Sequence, residues 1–329
     1  MKAWMLDPLS QALSLEDRPR PAPGPHQVLI KVKAASLNRG EFLVGMGIGG
    51  QSSTPKPCGM EAAGEVLEMG TEVMHLACAP VQIGTRVMGR APGGFAQYAL
   101  IDAQDLLVVP DHLGWLDAAC VPIAYLVAYD MVIAGGQLSQ GQNCLITGIS
   151  SGVGIASAQI AKLLDATVIG TSSSEHKLER IRALDLCQGI LSRGDDFVEA
   201  VLQNTDGRGV DLAINNVGAS VFAACLKVLA YQGRLAQVGF VDAQKQAVID
   251  LDRLHAQRLK IFGVSNKFRS PGQRAETVRG FAQQVLPWFA SGKLRPLIDR
   301  VYGFEELPQA QAAMRANTHL GKLVLEISA

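Results

Sequence analysis

The sequence is short of charge and has no excess of either sign. Its 329 residues carry 30 Lys and Arg against 30 Asp and Glu, with 18% charged in all. A nucleic-acid binder would show a basic surplus or stripe, so that class is set aside. Cysteines are few and scattered, at 58, 78, 120, 144, 187 and 225. No C-x-x-C pair and no metal-ligand spacing is present. Four of the six sit in apolar or strand-like surroundings and read as packing. Nothing suggests a disulfide framework, so a reducing, cytoplasmic location is the default expectation. Long apolar runs are missing too. The uncharged stretch Met131–Ala161 is broken by glycines, Gln, Ser and Asn, and reads as buried soluble core rather than a membrane span. The opening residues Met1–Pro8 have no apolar h-region and do not form a secretory signal. No internal repeat stands out.

What is present is a hydrophobic fraction of 48%, enough for a large core. One stretch organises it. Cys144–Thr147 reads as a buried strand. The turn Gly148-Ile149-Ser150-Ser151-Gly152-Val153-Gly154 follows, then Ile155–Leu164 with apolar residues at helical spacing, then a second strand, Thr167–Gly170. This is a βαβ unit. Its glycine turn opens into a helix N-terminus, where backbone N–H groups and the helix dipole favour an anion. Gly152 and Gly154 let a pyrophosphate approach and let the helix pack on the strand, so Ser151, Gly152 and Val153 are candidate cofactor contacts. A plain αβ turn with no ligand is the alternative.

The end of the second strand bears on which dinucleotide binds. NAD sites place Asp or Glu about 20 residues past the glycines, on the ribose 2′-OH. Here that place holds Thr171, Ser172, Ser173 and Ser174, with Lys177 following. Hydroxyls and an ammonium suit a 2′-phosphate, which a carboxylate would repel. The expectation is NADPH, with Ser172, Ser173 and Lys177 as contacts. The alternative is a serine N-cap with Lys177 in solvent.

Residues 1 to about 110 look β-rich, with short strands in Val28–Ala34, Gly59–Gly70, Gly84–Gly89 and Gly93–Ile101. Such spacing suggests a compact barrel-like domain. Helical pattern begins near Leu116 and covers Ile123–Ile133. After the βαβ unit, strands at Val210–Ile214, Arg234–Gly239 and Lys260–Val264 alternate with helices at Lys177–Leu186, Phe197–Leu202 and Val221–Leu229. That alternation predicts a doubly wound parallel sheet with right-handed crossovers, an α/β fold. A helix over Arg274–Ser291 and a last strand, Lys322–Glu326, which is expected to return to the first domain, complete the chain.

These residues resemble a known family. Ala34-Ala35-Ser36-Leu37-Asn38, Gly59-Met60-Glu61-Ala62-Ala63-Gly64, Gly84-Thr85-Arg86-Val87-Met88-Gly89 and Gly93-Gly94-Phe95-Ala96-Gln97-Tyr98 carry the likeness in the first part. Ala124–Asp130, Ser151–Gly154, Gly207–Asp211, Gly233–Leu235 and Gly321–Leu325 carry it further on. The chain resembles the medium-chain dehydrogenase/reductase superfamily and, within it, the zinc-free quinone oxidoreductases of the zeta-crystallin-like group. The resemblance implies a GroES-like, β-barrel-type substrate domain (1–121 and 267–329) and a Rossmann NADP(H)-binding domain (122–266), with a cleft for the nicotinamide. It also implies a homodimer paired along the Lys260–Val264 edge. Members commonly use NADPH to reduce a quinone or an activated alkene such as an enone. A non-catalytic NADPH-binding protein and an enoyl-thioester reductase are the rival readings.

Zinc-dependent members carry Gly-His-Glu where this chain has Gly59-Met60-Glu61, and Cys where it has Asn38. A thioether is a poor zinc ligand, and Cys58 with Glu61 is too few, so no metal is expected. The resemblance places Asn38 and Glu61 beside the nicotinamide. Asn38 would orient a substrate carbonyl through its NH₂ donors or stabilise its loop. Glu61 would anchor local structure. Tyr129 would donate a proton or pack. Asn216, Gly239, Phe240 and Asn266 follow strand ends, where such sheets bind ligands. Lys322 would reach cofactor phosphate or ribose, or lie in solvent. A tyrosine common near the 2′-phosphate is Ser192 here, with Arg193 next to it to supply charge. The loop Gly45–Gly50 lacks a tyrosine often found near substrate, and Val127 replaces a common threonine. His75, His112, His255 and His319 are expected in polar surroundings. Lys267, Arg269 and Arg274 form a basic cluster that would meet a phosphate-bearing substrate or simply be solvated.

Overall fold

A computed structural model describes residues 1–42 and 54–327. The loop Gly45–Gly50, whose missing tyrosine the sequence brought out, lies outside the described residues. The chain divides into two compact units, Val127–Phe268 and Met1–Leu126 together with Arg269–Ala329. The division after Leu126 falls inside the helix Ala124–Tyr129.

The Val127–Phe268 unit is built on a six-stranded sheet. In spatial order its strands are Gln188–Leu191, Thr167–Ser172, Asn143–Thr147, Val210–Asn215, Leu229–Gln237 and Lys260–Gly263. Every neighbouring pair is parallel. Parallel strands covered on both faces need near-continuous apolar sequence. Asn143–Thr147 meets that demand with all five residues buried. The strand first in sequence lies third in space, so chain order reverses between Asn143–Thr147 and Val210–Asn215. Crevices at such a reversal, beyond the carboxyl ends of the strands, are where doubly wound sheets take ligands. Leu145, Ile169, Phe197, Val201, Ala213 and Leu235 belong to one core cluster that ties strands to helices.

Local chemistry sets the helix ends. The helix expected from Ile155 starts three residues earlier and runs Gly152–Leu163, because the Ser151 hydroxyl caps it by accepting from the Gly154 N–H at 3.0 Å. Gly154 sits against the preceding turn, where a Cβ would lie 2.6 Å from the Ile149 carbonyl oxygen. Only glycine fits that approach. Four cysteines, Cys58, Cys120, Cys144 and Cys225, are buried. Burial pushes the Cys144 and Cys225 thiols up to about 12, so they stay protonated.

The other unit joins both ends of the chain. Its main sheet runs Ile298–Gly303, Lys322–Glu326, Gln27–Ser36, Glu61–Met69, Arg86–Arg90 and Leu106–Val108, with Tyr98–Asp102 also paired to Gln27–Ser36. Lys322–Glu326 pairs antiparallel to Gln27–Ser36, setting Val324 opposite Ser36. Gln27–Ser36 in turn pairs Glu61–Met69, with Ala35 opposite Ala62. Three strand ends therefore converge at Ser36, Glu61 and Lys322. Gly59, at φ +95°, makes the tight turn into Glu61, and a Cβ there would lie 2.5 Å from the Phe95 amide nitrogen.

Several expectations change. Strands Lys2–Leu6, Leu13–Asp17 and Ile298–Gly303 and the helix Leu307–Ala316 were not foreseen. The helix expected over Arg274–Ser291 is two helices, Pro271–Gln284 and Leu286–Ala290. Pro287 explains the break, since it cannot donate a helical N–H from the interior of a continuous helix. His319 is buried, in the loop before Lys322–Glu326. Two members of the supposed basic cluster are committed within this unit: Arg274 pairs with the buried Asp105 at 3.1 Å, and Arg269 donates to Gln273 O and Thr277 Oγ1. Among the described residues, no helix is long and apolar enough to cross a membrane.

Candidate active site

The convergence of strand ends in the unit that joins both chain ends buries a polar network. Glu61 is fully buried and stands at its centre. Its Oε1 accepts from Ser36 Oγ (2.5 Å), Asn38 Nδ2 (2.8 Å) and Lys322 Nζ (2.9 Å), and its Oε2 accepts from the Ile123 N–H at 2.7 Å. Lys322 is 4% exposed. Besides Glu61, its ammonium donates to Leu37 O at 3.0 Å and Asn38 Oδ1 at 2.8 Å. An ammonium has three N–H donors, so all are used. That rules out the solvated alternative for Lys322, and in this arrangement no N–H is left for a phosphate.

Asn38 bridges two carboxyl groups. Its Nδ2 donates to Glu61 Oε1 and, at 3.0 Å, to Glu41 Oε1. Both amide N–H groups are thus taken, leaving none to orient a substrate carbonyl, and the loop-stabilising alternative matches the geometry. Glu41 was not picked out from the sequence. It lies in the short 3₁₀ turn Arg39–Phe42 and is 4% exposed. Burial, and then the charge of Glu61, push its carboxyl up to about 8, against the pull of the Asn38 amide and Lys322. The spacing Asn38-Arg39-Gly40-Glu41 was the available signal, because residues three apart eclipse in a 3₁₀ turn.

Tyr129 is buried at the end of its helix, just before one turn of wider helix, Asp130–Ala134. Tyr125 packs edge-on against Phe289 at 5.0 Å between ring centroids.

The Val127–Phe268 unit gathers the cofactor candidates other than Lys322 near the carboxyl ends of its strands. Ser151 caps the Gly152–Leu163 helix, whose first N–H groups belong to Gly152 and Val153. Ser172 ends its strand and is buried, with its carbonyl accepting from the Ser192 N–H at 3.0 Å. Lys177 is 6% exposed, so its solvated alternative fails as well. Ser173 and Arg193 are exposed near the same strand ends. Ser192, in the place of the expected tyrosine, is buried and donates to Asp196 Oδ1 at 2.5 Å. On the other side of the order reversal, Asn216 Nδ2 donates to Thr147 O at 2.9 Å, tying the two central strand ends together. A Cβ on Gly239 would lie 2.1 Å from the Asn216 carbonyl oxygen, so the chain passes there only as glycine. Phe240 is half-buried and Asn266 is exposed. A glycine turn at a capped helix start, hydroxyls and a buried lysine at the next strand end, and a backbone crossing that excludes any Cβ together fit a dinucleotide phosphate.

Residues 24–111 match the family model described as the alcohol dehydrogenase GroES-like domain, and residues 188–325 match zinc-binding dehydrogenase. The mycobacterial protein Rv1454c, solved as a complex with NADPH, superposes with TM-score 0.84 at 25% identity over 99% of both chains. The chain belongs to the medium-chain dehydrogenase/reductase superfamily. It is an oxidoreductase of that type. The CurK enoyl reductase shares the fold, with TM-score 0.84 over 99% of both chains at 23% identity. A phenolphthiocerol/phthiocerol polyketide synthase protein of Mycobacterium tuberculosis is 30% identical over 96% of this chain, which spans only 14% of that relative's length.

The zinc for which the second matched family is named finds poor ligands here. Cys58 stands next to the Gly59-Met60-Glu61 turn, but its thiol is driven up by burial and bonds Trp4 O at 3.3 Å. Glu61 already holds the Lys322 ammonium. Among the described residues, no group of three or more His, Cys, Asp or Glu could hold a metal ion. The donor set does not fit zinc.

Proposed function

We propose that this protein is a zinc-independent, NADPH-dependent reductase of activated alkenes, in which a C=C bond is conjugated to a carbonyl. The observation that carries the reading is the buried Lys322 ammonium on Glu61. The resemblance sets Glu61 and Asn38 at the place of the metal in zinc-dependent members, and here Glu61 holds an ammonium saturated by its own hydrogen bonds rather than a Lewis acid with an open position. Without that Lewis acid an alcohol or simple aldehyde is a poor substrate. A conjugated acceptor needs less help, because conjugation spreads the charge left by an arriving hydride.

NADPH, when bound, supplies that hydride from its nicotinamide C4. The chain's own residues bind and orient. Gly152 and Val153 offer backbone N–H groups to the pyrophosphate at the helix start. Ser172, Ser173, Lys177 and Arg193 favour the 2′-phosphate over a bare 2′-OH. Asn216, Gly239 and Phe240 shape the crevice at the order reversal. Glu61, Asn38 and Lys322 lock three strand ends into one rigid network.

An enoyl thioester is the favoured acceptor, supported by the polyketide synthase relative and by the fold shared with an enoyl reductase. The protein is further read as a homodimer joined along the Lys260–Gly263 edge strand. The test is NADPH oxidation by the purified protein with crotonyl-CoA, a cyclic enone and a polycyclic ortho-quinone in parallel, with NADH as control. Turnover of the alkenes with NADPH is expected. Turnover of the quinone alone would move the function to quinone reduction. NADPH binding with no turnover of any acceptor would leave a binding protein.

A further inference from the structure

The crevice at the order reversal of the Val127–Phe268 unit has two sides. On one side lie the Gly152–Leu163 helix start, after Asn143–Thr147, and Ser172 and Lys177, after Thr167–Ser172. With the pyrophosphate on that helix start and the 2′-phosphate on Ser172 and Lys177, the adenosine half of the dinucleotide lies toward the Gln188–Leu191 edge. The nicotinamide half then extends the other way, over the carboxyl ends of Val210–Asn215 and Leu229–Gln237.

The turns that follow those two strands are tied together by one side chain. Asp242 Oδ2 accepts from the Ser220 N–H at 2.8 Å and from Ser220 Oγ at 2.6 Å, and its Oδ1 accepts from the Gln244 N–H at 2.9 Å. The Asp242 N–H donates back to Val217 O at 3.1 Å. The carboxylate lies over Gly218, where a Cβ would come 2.0 Å from Asp242 Oδ1. Gly218 is held at φ +136°, which glycine alone adopts readily. Ala243 is held at φ +60°, a left-handed conformation that alanine resists. Both turns keep shapes they would not choose alone, and the carboxylate spans them. Partial burial works to raise the Asp242 pKa, but the Ser220 and Gln244 donors prevail and hold the carboxyl below its usual value, so it is ionised at neutral pH. Beneath this latch, Asn215 Nδ2 donates to Gly218 O and Gln237 Oε1, both at 2.8 Å, and Gln237 Nε2 donates to Gly239 O at 2.7 Å.

We propose that Asp242 is a positioning residue for the nicotinamide half of the cofactor. Its carboxylate latches the Phe240–Gln244 turn onto the Gly218–Ser220 turn, and so fixes the wall that Gly239 and Phe240 present to the crevice. It acts through the turn rather than on a reacting atom. This rests on the reading of the protein as NADPH-dependent. Asp242 is half-buried and Ser220 is exposed, and neither belongs to the core cluster of this unit. Loss of the latch therefore frees the turn while the Asn215 and Gln237 bonds and the sheet remain.

Ligand binding to the full chain tests this. Wild type, Asp242→Ala, Asp242→Asn and Ser220→Ala would be titrated with NADPH and with adenosine 2′,5′-bisphosphate, which carries the 2′-phosphate but no nicotinamide. Asp242→Ala should weaken NADPH binding by roughly 10-fold or more. It should leave the bisphosphate within about 2-fold of wild type, because that ligand occupies the other side. Asp242→Asn keeps one acceptor oxygen and should fall in between. Ser220→Ala keeps the Ser220 N–H bond and should weaken NADPH less than Asp242→Ala does; added to Asp242→Ala it should cost nothing more. Acrylamide quenching of the bound nicotinamide's fluorescence reads the wall itself, and should be stronger in Asp242→Ala than in the wild type. Wild-type NADPH affinity and quenching in Asp242→Ala overturn the proposal. So does an equal weakening of NADPH and the bisphosphate, which would mean a general loosening of the unit. If Asp242→Ala does not fold, Asp242→Asn and Ser220→Ala carry the same comparison. A wild type that does not bind NADPH sinks the NADPH reading, and with it this role. NADPH binding that is indifferent to Asp242 and Ser220 sinks the role alone.

Discussion

Replacing Lys322 by Met would leave Glu61 as a carboxylate with no exposure to water and no cation. Met keeps the length of the side chain and removes three donors, those to Glu61, Asn38 Oδ1 and Leu37 O. Breaking a buried pair by removing one partner costs about 3–5 kcal/mol, because the survivor stays desolvated and uncompensated. At roughly 2–4 °C per kcal/mol for a unit of this size, the melting temperature should drop by about 6–20 °C. Glu61→Gln removes the stranded charge, so the Lys322→Met/Glu61→Gln double variant should be less harmed than the two singles added together. The expected coupling is about 0.5–3 kcal/mol in favour of the double variant. Scanning calorimetry on the four proteins reads this directly. A Lys322→Met loss below about 1 kcal/mol, or single effects that simply add, would refute the view that the pair is a desolvated, mutually dependent unit.

Three further outcomes are expected. Ser151→Ala removes the acceptor for the Gly154 N–H and should cost about 1 kcal/mol of stability, measured by thermal denaturation with and without NADPH. Lys177→Met should weaken NADPH binding by roughly 10–100-fold and leave NADH binding nearly unchanged, since only the former carries the 2′-phosphate; titration calorimetry with both nucleotides reads the difference. Glu41 holds its proton more tightly folded than unfolded, moving from 4.5 to about 8, so its contribution is full below about pH 4.5 and is lost as pH rises toward 8. The unfolding free energy from urea denaturation, wild type minus Glu41→Gln, should therefore decline by roughly 1.4 kcal/mol per pH unit across that window, and a flat difference would contradict the assignment.

The parallel sheet could be read from the sequence because its physics is local. Strands buried on both faces must be apolar runs, and Cys144–Ile146 and Leu212–Ile214 are such runs. Ser151 and Gly154 then mark where the first helix has to begin. The edges of both units were harder. Gln188–Leu191 and Leu13–Asp17 are only half-buried, so their residues carry no strong alternation. Ile298–Gly303 is held by pairing to Lys322–Glu326 across the chain, a long-range cause that no local pattern reveals. At the candidate site, Asn38, Glu61 and Lys322 were each picked out by resemblance to a family, one at a time. Their joint network was not legible, because it depends on the register that sets Ser36 opposite Val324 and Ala35 opposite Ala62. Glu41 escaped notice for the same reason: a glutamate after an exposed Gly40 reads as surface until the strand ends close around it.

The measurement that bears most directly on the account is the fate of the hydride. NADPH carrying deuterium at the transferable C4 position would be incubated with the protein and crotonyl-CoA or a cyclic enone, and the product followed by NMR. The account predicts one deuterium at the β-carbon of a saturated carbonyl product, with the α-hydrogen drawn from water. Deuterium on a carbinol carbon would mean carbonyl reduction. Deuterium at neither position would mean that hydride transfer to an activated alkene is not what this protein does.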